Sequence, residues 1–223
     1  MLAWSSGKDS AWMLHTLRQA DEYEPVGLLT TFNEAFDRVA MHAVRSELVR
    51  AQARATGLEL VRVPIPWPCS NTEYEQAMAI AVSKVQQEYG VTHMAFGDLY
   101  LPDVRAYREA KLRDTGITPI FPLWQRPTPQ LSREMIGGGL KAIITCIDPT
   151  KLPAEFAGRS YDESLLDDLP AGVDPCGENG EFHSFAWSGP MFNEPIPIAT
   201  GAVVTRDGFV FADIVLKERI ADK

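Results

Sequence analysis

The chain has 223 residues, of which 45% are hydrophobic, and this is enough apolar material for one large core or two modest ones. Its 21 basic and 30 acidic residues give a formal net charge of -9, which argues against a protein that binds nucleic acid through a basic face. We expect a soluble cytoplasmic protein without a disulfide framework or a zinc ribbon, because the three cysteines are widely spaced and the sequence has no signal-peptide or membrane-span pattern.

The first predicted element is an apolar strand, Met1 to Trp4, followed by the small-residue loop Ser5-Ser6-Gly7-Lys8-Asp9-Ser10 and a helix. Small residues let backbone N–H groups approach an anion, and the helix start adds unpaired N–H groups and a positive dipole end. The loop is not a Walker A motif, because Leu2 stands at the first glycine position and Asp9 at the Ser/Thr position. We therefore expect it to bind nucleotide phosphates. The alternative is an ordinary helix cap made by Ser6 or Asp9.

Strand and helix patterns alternate through the first half of the chain, which is typical of a parallel sheet covered by helices. After the first loop we predict helices at 11–20, 39–56, 72–89 and 102–114, and strands at 25–31, 58–65, 92–97 and 117–123. Gly57 is the predicted end of the second helix. These patterns predict an α/β fold with a Rossmann-like parallel sheet.

The pattern changes at Pro127 and Pro129, which interrupt helices and central strands. We place a domain boundary there, between a nucleotide-binding domain, 1–124, and a smaller mixed α+β substrate-binding domain, 125–223. In the second domain we predict a helix at 131–136, strands at 142–147, 184–187, 199–205 and 209–216, a hairpin turn at Asp207-Gly208 and a frayed end at 217–223.

Ligands of such a sheet bind beyond the carboxyl ends of the strands, where the strand order reverses. This rule selects the first loop, the segment Thr30-Thr31-Phe32-Asn33 after the second strand, and Gly97-Asp98 after the fourth. Asp98 would face the phosphates and hold Mg²⁺ together with Asp9, because this cation prefers carboxylate and phosphate oxygens. The alternatives are a helix-cap role for Asp98 and ordinary strand positions for the threonines.

Two arginines follow on the next predicted helix. Arg105 and Arg108 are three residues apart, and one of them would neutralise the charge on departing pyrophosphate. The sequence leaves open which of the two does so, and we place Arg105 in the substrate site. The alternative is that both are solvated and pair with Asp103 and Glu109.

A second polar cluster extends from Asp174 to Phe185. Glu178 and Glu181 are candidates to bind Mg²⁺ or an amine, and His183 is a candidate general base or a group that orients the acyl substrate. The alternative is a turn and a strand with an exposed histidine. We do not expect Cys176 to be a covalent nucleophile, since His183 is its one neighbouring base in the sequence.

Three segments resemble, in the same order, the diphthine-ammonia ligase family of PP-loop ATP pyrophosphatases. They are S-S-G-K-D-S, G-D-L-Y-L-P-D-V-R-A-Y-R-E and P-C-G-E-N-G-E-F-H-S-F, and they span nearly the whole chain. The first departs from the family pattern S-G-G-x-D-S by Ser6 in place of glycine. The resemblance implies a nucleotide domain of the adenine nucleotide alpha hydrolase type and an AMP-forming ligation, in which ATP activates a carboxylate and ammonia converts it to an amide.

The resemblance also implies that the first loop binds the phosphates, that Asp98 supports the metal, and that Glu178, Asn179, Glu181 and His183 line the acceptor pocket. With the positions selected above, the ATP site is Ser5, Ser6, Gly7, Lys8, Asp9, Ser10, Thr30 and Gly97, with Mg²⁺ on Asp9 and Asp98. The predicted catalytic residues are Lys8, Asp98, Glu178 and His183, and Arg105, Glu178, Asn179, Glu181 and His183 form the substrate site.

The acceptor implied by the resemblance is a carboxylate on a protein, the elongation factor, or on a small molecule. The sequence leaves open an ATP pyrophosphatase with an unknown small-molecule acceptor and a sensor that binds adenine nucleotide without turnover. A tRNA-modifying thiolase is disfavoured because paired cysteines and a basic extension are missing. We expect no membrane partner, and a homodimer is one assembly the sequence permits.

Overall fold

The computed structural model of the protein describes residues 1–39 and 44–217, which form two β-sheets and the helices that cover them. The strands are β1 (Leu2–Ala3), β2 (Gly27–Asn33), β3 (Arg38–Val39), β4 (Glu59–Ile65), β5 (His93–Ala95), β6 (Thr118–Ile120), β7 (Lys141–Ile147), β8 (Phe182–Ser188), β9 (Ile198–Arg206) and β10 (Phe209–Leu216). The helices are α1 (Lys8–Ala20), α2 (Ser46–Thr56), α3 (Asn71–Tyr89), α4 (Pro102–Leu112), α5 (Thr128–Gly137) and α6 (Glu163–Asp168), with a short 3-10 helix at Ala154–Phe156.

The first sheet is parallel except for one short strand. Its parallel strands lie in the order β4-β2-β1-β5-β6, and β3 pairs antiparallel with the end of β2. The order reverses between β1 and β5, so the loops that follow these two strands lie side by side at the carboxyl edge of the sheet. The predicted α/β fold with a Rossmann-like sheet is confirmed.

The second sheet is smaller and antiparallel, in the order β8-β7-β10-β9. The predicted hairpin joins β9 to β10, and both turn residues, Asp207 and Gly208, have positive φ, at 51° and 83°. Side chains of α1, α2 and this sheet share one hydrophobic core. The domain boundary between residues 124 and 125 stays a prediction.

Several predicted boundaries differ from the structure, and two of the differences affect the site or the sheet. The helix predicted at 39–56 is α2, which begins at Ser46, while Val39 lies in β3 opposite Phe32. Strand β2 continues to Asn33, because its pairing with β4 runs on to that residue. Thr30 therefore lies inside the strand and not in a loop beyond it. The predicted helical positions 40–43 and the predicted frayed residues 218–223 lie outside the described residues.

Helix ends follow local sequence chemistry. Gly57 and Gly90 end α2 and α3 in the left-handed conformation, with φ of 71° and 63°, which confirms the predicted end at Gly57. The start of α3 is fixed by a capping box, in which the Ser70 hydroxyl accepts from Glu73 N and the Glu73 carboxylate accepts from Ser70 N. In the described part of the chain, no helix is long and apolar enough to cross a lipid bilayer.

The loop after β5 packs backbone against backbone on the first turn of α1. A Cβ atom placed on Gly97 would lie 3.2 Å from Asp9 C and 3.3 Å from Ser10 N. Neither atom belongs to a flexible side chain, so a larger residue would push the two loops apart. Glycine at this position therefore sets the spacing of the two loops at the switch point of the sheet.

We expect Gly97→Ala to lower the free energy of unfolding by about 1–3 kcal/mol, because the added methyl group has no room. Gly137→Ala is the matched control, since a Cβ at this helical position would meet nothing within 4 Å. The control should be neutral or stabilising by about 0.5–1 kcal/mol, because alanine favours helix over glycine. Urea unfolding monitored by circular dichroism measures both values, and equal effects of the two substitutions would contradict the close contact at Gly97.

Candidate active site

The loop between β1 and α1 is held by its own hydroxyl groups. Gly7 N donates to Ser5 Oγ at 3.3 Å, and Ser10 Oγ donates to Gly7 O at 3.0 Å. Gly7 is the N-cap residue of α1 and makes no side-chain cap, and the Lys8 N–H at the helix start donates to Ser184 Oγ on β8, not to Ser6 or Asp9. The helix-cap alternative for Ser6 and Asp9 is therefore wrong, and this helix start suits an anion.

Lys8 is buried at the start of α1, with 2% of its surface exposed. Its Nζ lies 2.8 Å from Asp9 Oδ2 and also donates to the Cys176 carbonyl. Burial opposes the lysine charge, but the negative groups around it, with Asp9 the strongest, outweigh burial and raise the pKa of Lys8. The ammonium group is therefore charged at neutral pH and connects the first loop to the second polar cluster.

Asp98 follows β5 and faces Arg108. Arg108 Nε lies 3.5 Å from Asp98 Oδ2, and neither atom has a hydrogen-bond partner among the described residues, although both are buried. Burial raises the pKa of Asp98, and the charge of Asp9 raises it further, while Arg108 opposes the shift. A cation bound here in addition to Arg108 would stabilise the carboxylates of both Asp98 and Asp9.

Of the two arginines that the sequence leaves open for the pyrophosphate, the structure places Arg108 beside Asp98. Arg105 Nε donates to Glu109 Oε1 at 2.8 Å, and its guanidinium lies over the rings of Phe121 and Trp124, at 4.7 Å and 4.8 Å. Two aromatic faces and a carboxylate hold Arg105 away from Asp98. Sequence spacing alone does not reveal this, because the two rings come from the segment after α4.

Glu178 connects the second polar cluster with the loop after β5. Its Oε2 accepts from Leu99 N at 3.4 Å. Burial, and then the nearby charge of Asp9, raise the pKa of Glu178 to about 8, against the opposing effects of Lys8 and the Leu99 N–H. A carboxyl group with this pKa exchanges a proton near neutral pH, which is the property required of a general acid or base.

His183 is half-buried on β8, so the exposed-histidine alternative is wrong. Burial, and then the positive charge of Lys8, lower the pKa of His183, while Asp9 opposes the shift. The imidazole is therefore neutral at pH 7 and able to accept a proton. Cys176, in contrast, is no nucleophile, because burial raises the pKa of its thiol to about 12.

Glu181 organises the loop from inside. Only 3% of it is exposed, and its carboxylate accepts from Asp174 N at 3.0 Å, Asn179 N at 2.9 Å and Asn179 Nδ2 at 3.1 Å. Asn179 Oδ1 accepts in turn from the Tyr100 hydroxyl at 3.1 Å. The predicted acceptor contact of Glu181 is thus replaced in this structure by bonds that shape the loop around Glu178.

Thr30 also supports the site without facing it. Its hydroxyl donates to the Trp4 carbonyl at 2.8 Å, and the residue is 1% exposed. Because β2 continues beyond Thr30, the side chain holds Trp4, which leads into the predicted phosphate loop, Ser5 to Ser10. The predicted contact of Thr30 with ATP needs a residue beyond the strand end, which Thr30 is not.

Sequence reasoning missed two residues, Ser184 and Gln52. Ser184 Oγ accepts from Lys8 N at 3.2 Å, so β8 touches the first turn of α1 directly. Gln52 in α2 is completely buried and bonds to Trp4, Ser6 and Ala186. A signal for Gln52 was present, since it is a polar residue one helical turn after the apolar Leu48 on the predicted helix.

The predicted Mg²⁺ site fits the side chains present. Among residues 1–39 and 44–217, no three His, Cys, Asp or Glu residues come together as a metal-binding group, and the protein would supply the two carboxylates of Asp9 and Asp98. The buried Oδ2 of Asp98 without a hydrogen bond is the kind of atom that a cation would satisfy. Mg²⁺ commonly takes one or two carboxylates and completes its shell with phosphate oxygens and water.

Two family models match this chain, one after the other. The model of the diphthamide synthase N-terminal domain matches residues 1–119, and that of the diphthamide synthase C-terminal domain matches residues 128–215. The chain belongs to the diphthamide synthase family. The resemblance seen in the sequence is confirmed.

Curated members of the family carry the name diphthine--ammonia ligase. The protein of Rattus norvegicus is 27% identical, over 88% of this chain and 74% of its own length. The Homo sapiens protein is 27% identical, over 87% of this chain and 73% of its own length. The Danio rerio protein is also 27% identical, over 96% of this chain and 86% of its own length. Among solved structures, a predicted subunit of tRNA methyltransferase from Methanocaldococcus jannaschii is similar over 83% of this chain and 94% of its own, with 15% identity and a TM-score of 0.43.

The raised pKa of Glu178 gives a pH dependence of stability. The carboxyl group keeps its proton up to about pH 8 in the folded protein and loses it near pH 4.5 in the unfolded chain. The folded state therefore binds more protons in this window, and its free energy of unfolding falls as the pH rises through it. Glutamine has no proton to lose, so the free energy of unfolding of Glu178→Gln should rise by about 2–4 kcal/mol relative to that of the wild type between pH 5 and pH 9.

Urea unfolding at several pH values measures this difference. Asp98 shifts stability in the same direction and His183 in the opposite one, but both groups are present in both proteins and cancel in the comparison. Glu155→Gln, which changes an exposed glutamate, is the control and should follow the wild-type profile. Parallel profiles for wild type and Glu178→Gln would rule out the proton on Glu178.

Proposed function

We propose that the protein is an ATP-dependent, AMP-forming ligase that converts a carboxylate into an amide with ammonia. The observation that carries this proposal is the meeting of three segments at the switch point of the parallel sheet. Lys8 bonds both to Asp9 in the first loop and to the Cys176 carbonyl, and Glu178 accepts from Leu99 beyond β5. Membership of the diphthamide synthase family, and relatives named diphthine--ammonia ligase, support the same chemistry.

The first loop and α1 would bind the phosphates of ATP. Open N–H groups at the helix start and the charged Lys8 favour an anion at this position. Asp9 and Asp98 would hold Mg²⁺, which would offset the charge of the phosphates when it is bound. Arg108, beside Asp98, would stabilise the negative charge that grows on pyrophosphate as it leaves.

The ligation has two balanced steps. A carboxylate oxygen of the acceptor forms a bond to the α-phosphorus, and the bond from this phosphorus to the bridging oxygen breaks with release of pyrophosphate. Ammonia nitrogen then bonds to the acyl carbon, AMP leaves with the former carboxylate oxygen, and one ammonia proton passes to a base. His183, whose lowered pKa keeps it neutral, would accept that proton, while Glu178, with a pKa of about 8, carries a proton at pH 7 and would serve as a general acid.

The acceptor is proposed to be diphthine, which the relatives' name gives as their substrate. We propose that it is carried on the elongation factor, as the resemblance in the sequence implies. Ammonia is proposed to come from solution. The outcomes below separate this acceptor from a small carboxylate, and a ligase from a protein that holds nucleotide without turnover.

The test is incubation of the protein with ATP, Mg²⁺, ammonium and elongation factor bearing diphthine, in parallel with a panel of small carboxylates. We expect AMP, pyrophosphate and amidated factor in equal amounts. Release of ADP and phosphate would contradict an α-phosphate cut. ATP binding without pyrophosphate from any acceptor would favour the nucleotide sensor.

The Kd for ATP should be about 10–100-fold higher for Lys8→Met than for the wild type, because one charge-assisted contact is lost. Lys84→Met, which removes an exposed lysine paired with Glu88 on α3, is the control and should bind ATP as the wild type does. Circular dichroism checks that both variants fold. Equal ATP affinities of the two folded variants would exclude Lys8 from the phosphate site.

The two arginines of α4 give a second test. Arg108→Met should lower the rate of AMP formation about 10–100-fold, because a charge next to Asp98 is removed from the site of departing pyrophosphate. Arg105→Met should have a smaller effect on the rate, since its guanidinium is engaged by Glu109 and two aromatic rings. Single-turnover kinetics separates this step from product release. A larger loss of rate in Arg105→Met than in Arg108→Met would assign the pyrophosphate contact to Arg105.

A further inference from the structure

Gln52 is a fully buried amide in α2 whose donors and acceptor are all used. Its Oε1 accepts from Trp4 Nε1 at 2.8 Å, and its Nε2 donates to the Ser6 carbonyl at 2.9 Å and to the Ala186 carbonyl at 2.7 Å. These partners lie just after β1, in the phosphate loop and on β8. Since each lost bond would leave an unpaired buried group, the amide fixes the three segments relative to one another.

Ser6 is the partner that most needs such support. Its φ of 71° lies in the left-handed region that favours glycine, and its side chain is completely buried. The Ser6 hydroxyl has no hydrogen-bond partner in the described ranges 1–39 and 44–217. Serine thus holds a conformation that it disfavours, at the position where the pattern S-G-G-x-D-S has glycine.

The Ser6 carbonyl is held from two sides. Besides the Gln52 amide, Ala186 N donates to it at 3.0 Å. The same peptide plane contains the Gly7 N–H, which points opposite to the carbonyl because the peptide is planar and trans. This N–H donates to Ser5 Oγ at 3.3 Å, so holding the carbonyl also sets the shape of the loop in which the phosphates would bind.

We propose that Gln52 is a positioning residue for nucleotide binding, which holds the Ser6–Gly7 peptide and keeps Ser6 in its left-handed conformation. The inference rests on the proposed function, because it concerns the loop that would bind ATP. Without the amide, Ser6 relaxes toward negative φ, and the Ser6–Gly7 peptide turns out of the loop shape that its bond to Ser5 Oγ completes. Glycine at position 6 would need no such support.

The test measures the Kd for ATP by calorimetry on the full chain, for wild type, Gln52→Met, Ser6→Gly and the double variant. In the serine background, Gln52→Met should weaken binding about tenfold, which corresponds to about 1.4 kcal/mol. In the Ser6→Gly background, the same substitution should weaken binding by less than about threefold, since glycine adopts positive φ without strain. A purely structural loss of packing would be the same in both backgrounds.

Asp21→Gly is the matched control background. Asp21 also has positive φ, 52°, but it lies at the opposite end of α1, so relief of its strain does not affect the phosphate loop. Gln52→Met should still weaken ATP binding about tenfold in this background. An equal effect of Gln52→Met in all three backgrounds would overturn the inference.

A replacement variant and a second measurement apply if Gln52→Met does not fold or if the wild type does not bind ATP. Gln52→Met leaves the Trp4 indole N–H unpaired, so if it fails to fold, the pair Trp4→Phe/Gln52→Met replaces it and removes both polar partners. If the wild type binds no ATP, the proposed function fails, and thermal unfolding tests the inference instead. Ser6→Gly should then raise the midpoint more in wild type than in the Gln52 variant, while Asp21→Gly raises both equally. Equal gains from Ser6→Gly would refute the support of Ser6 by Gln52.

Discussion

The phosphate loop is held by main-chain contact with the second sheet, and the arrangement of the site depends on this contact. Ala186 N donates to the Ser6 carbonyl, and Ser184 Oγ accepts from Lys8 N, so β8 fixes the loop on both sides of Gly7. Gly7 makes the contact possible, because a Cβ at this position would lie 3.2 Å from the Ser184 carbonyl oxygen. The same strand carries His183, and the loop before it carries Glu178. The two polar clusters of the sequence are therefore one structural unit.

Charge balance explains why these groups share one space. Asp9 influences the ionisation of Lys8, Asp98 and Glu178, and Glu178 that of Lys8, while Lys8 and Arg108 supply the opposing positive charge. Because charges at close range interact strongly away from water, any change in one of them shifts its neighbours. A nucleotide with its metal would bring both signs of charge into this balance, and its binding is expected to alter the protonation of the acidic groups.

The sequence was sufficient for the features that depend on local or repeated patterns. Alternating strands and helices predicted the parallel sheet, Asp207-Gly208 predicted the hairpin, and the switch-point rule brought the first loop and Asp98 together. The errors concern partners that lie far away in the chain. Arg105 is held by rings that follow α4, and Thr30 by the carbonyl of Trp4, and neither contact has a sequence period. Gln52 is the instructive case, since its place on an apolar helix face marks it as unusual, although its partners become visible only in the fold.

The contact between β8 and the phosphate loop bears on how this chain can be cut or recombined. Family models divide the sequence between residues 119 and 128, and a fragment ending there would carry the loop motif intact. It would nevertheless lack Ala186 and Ser184, and the Ser6 carbonyl would lose one of its two donors. The loop sequence can thus be transferred to another protein, but its conformation depends on the bonds from β8. A chimera that joins the first segment to a foreign second domain must also bring a strand that replaces β8.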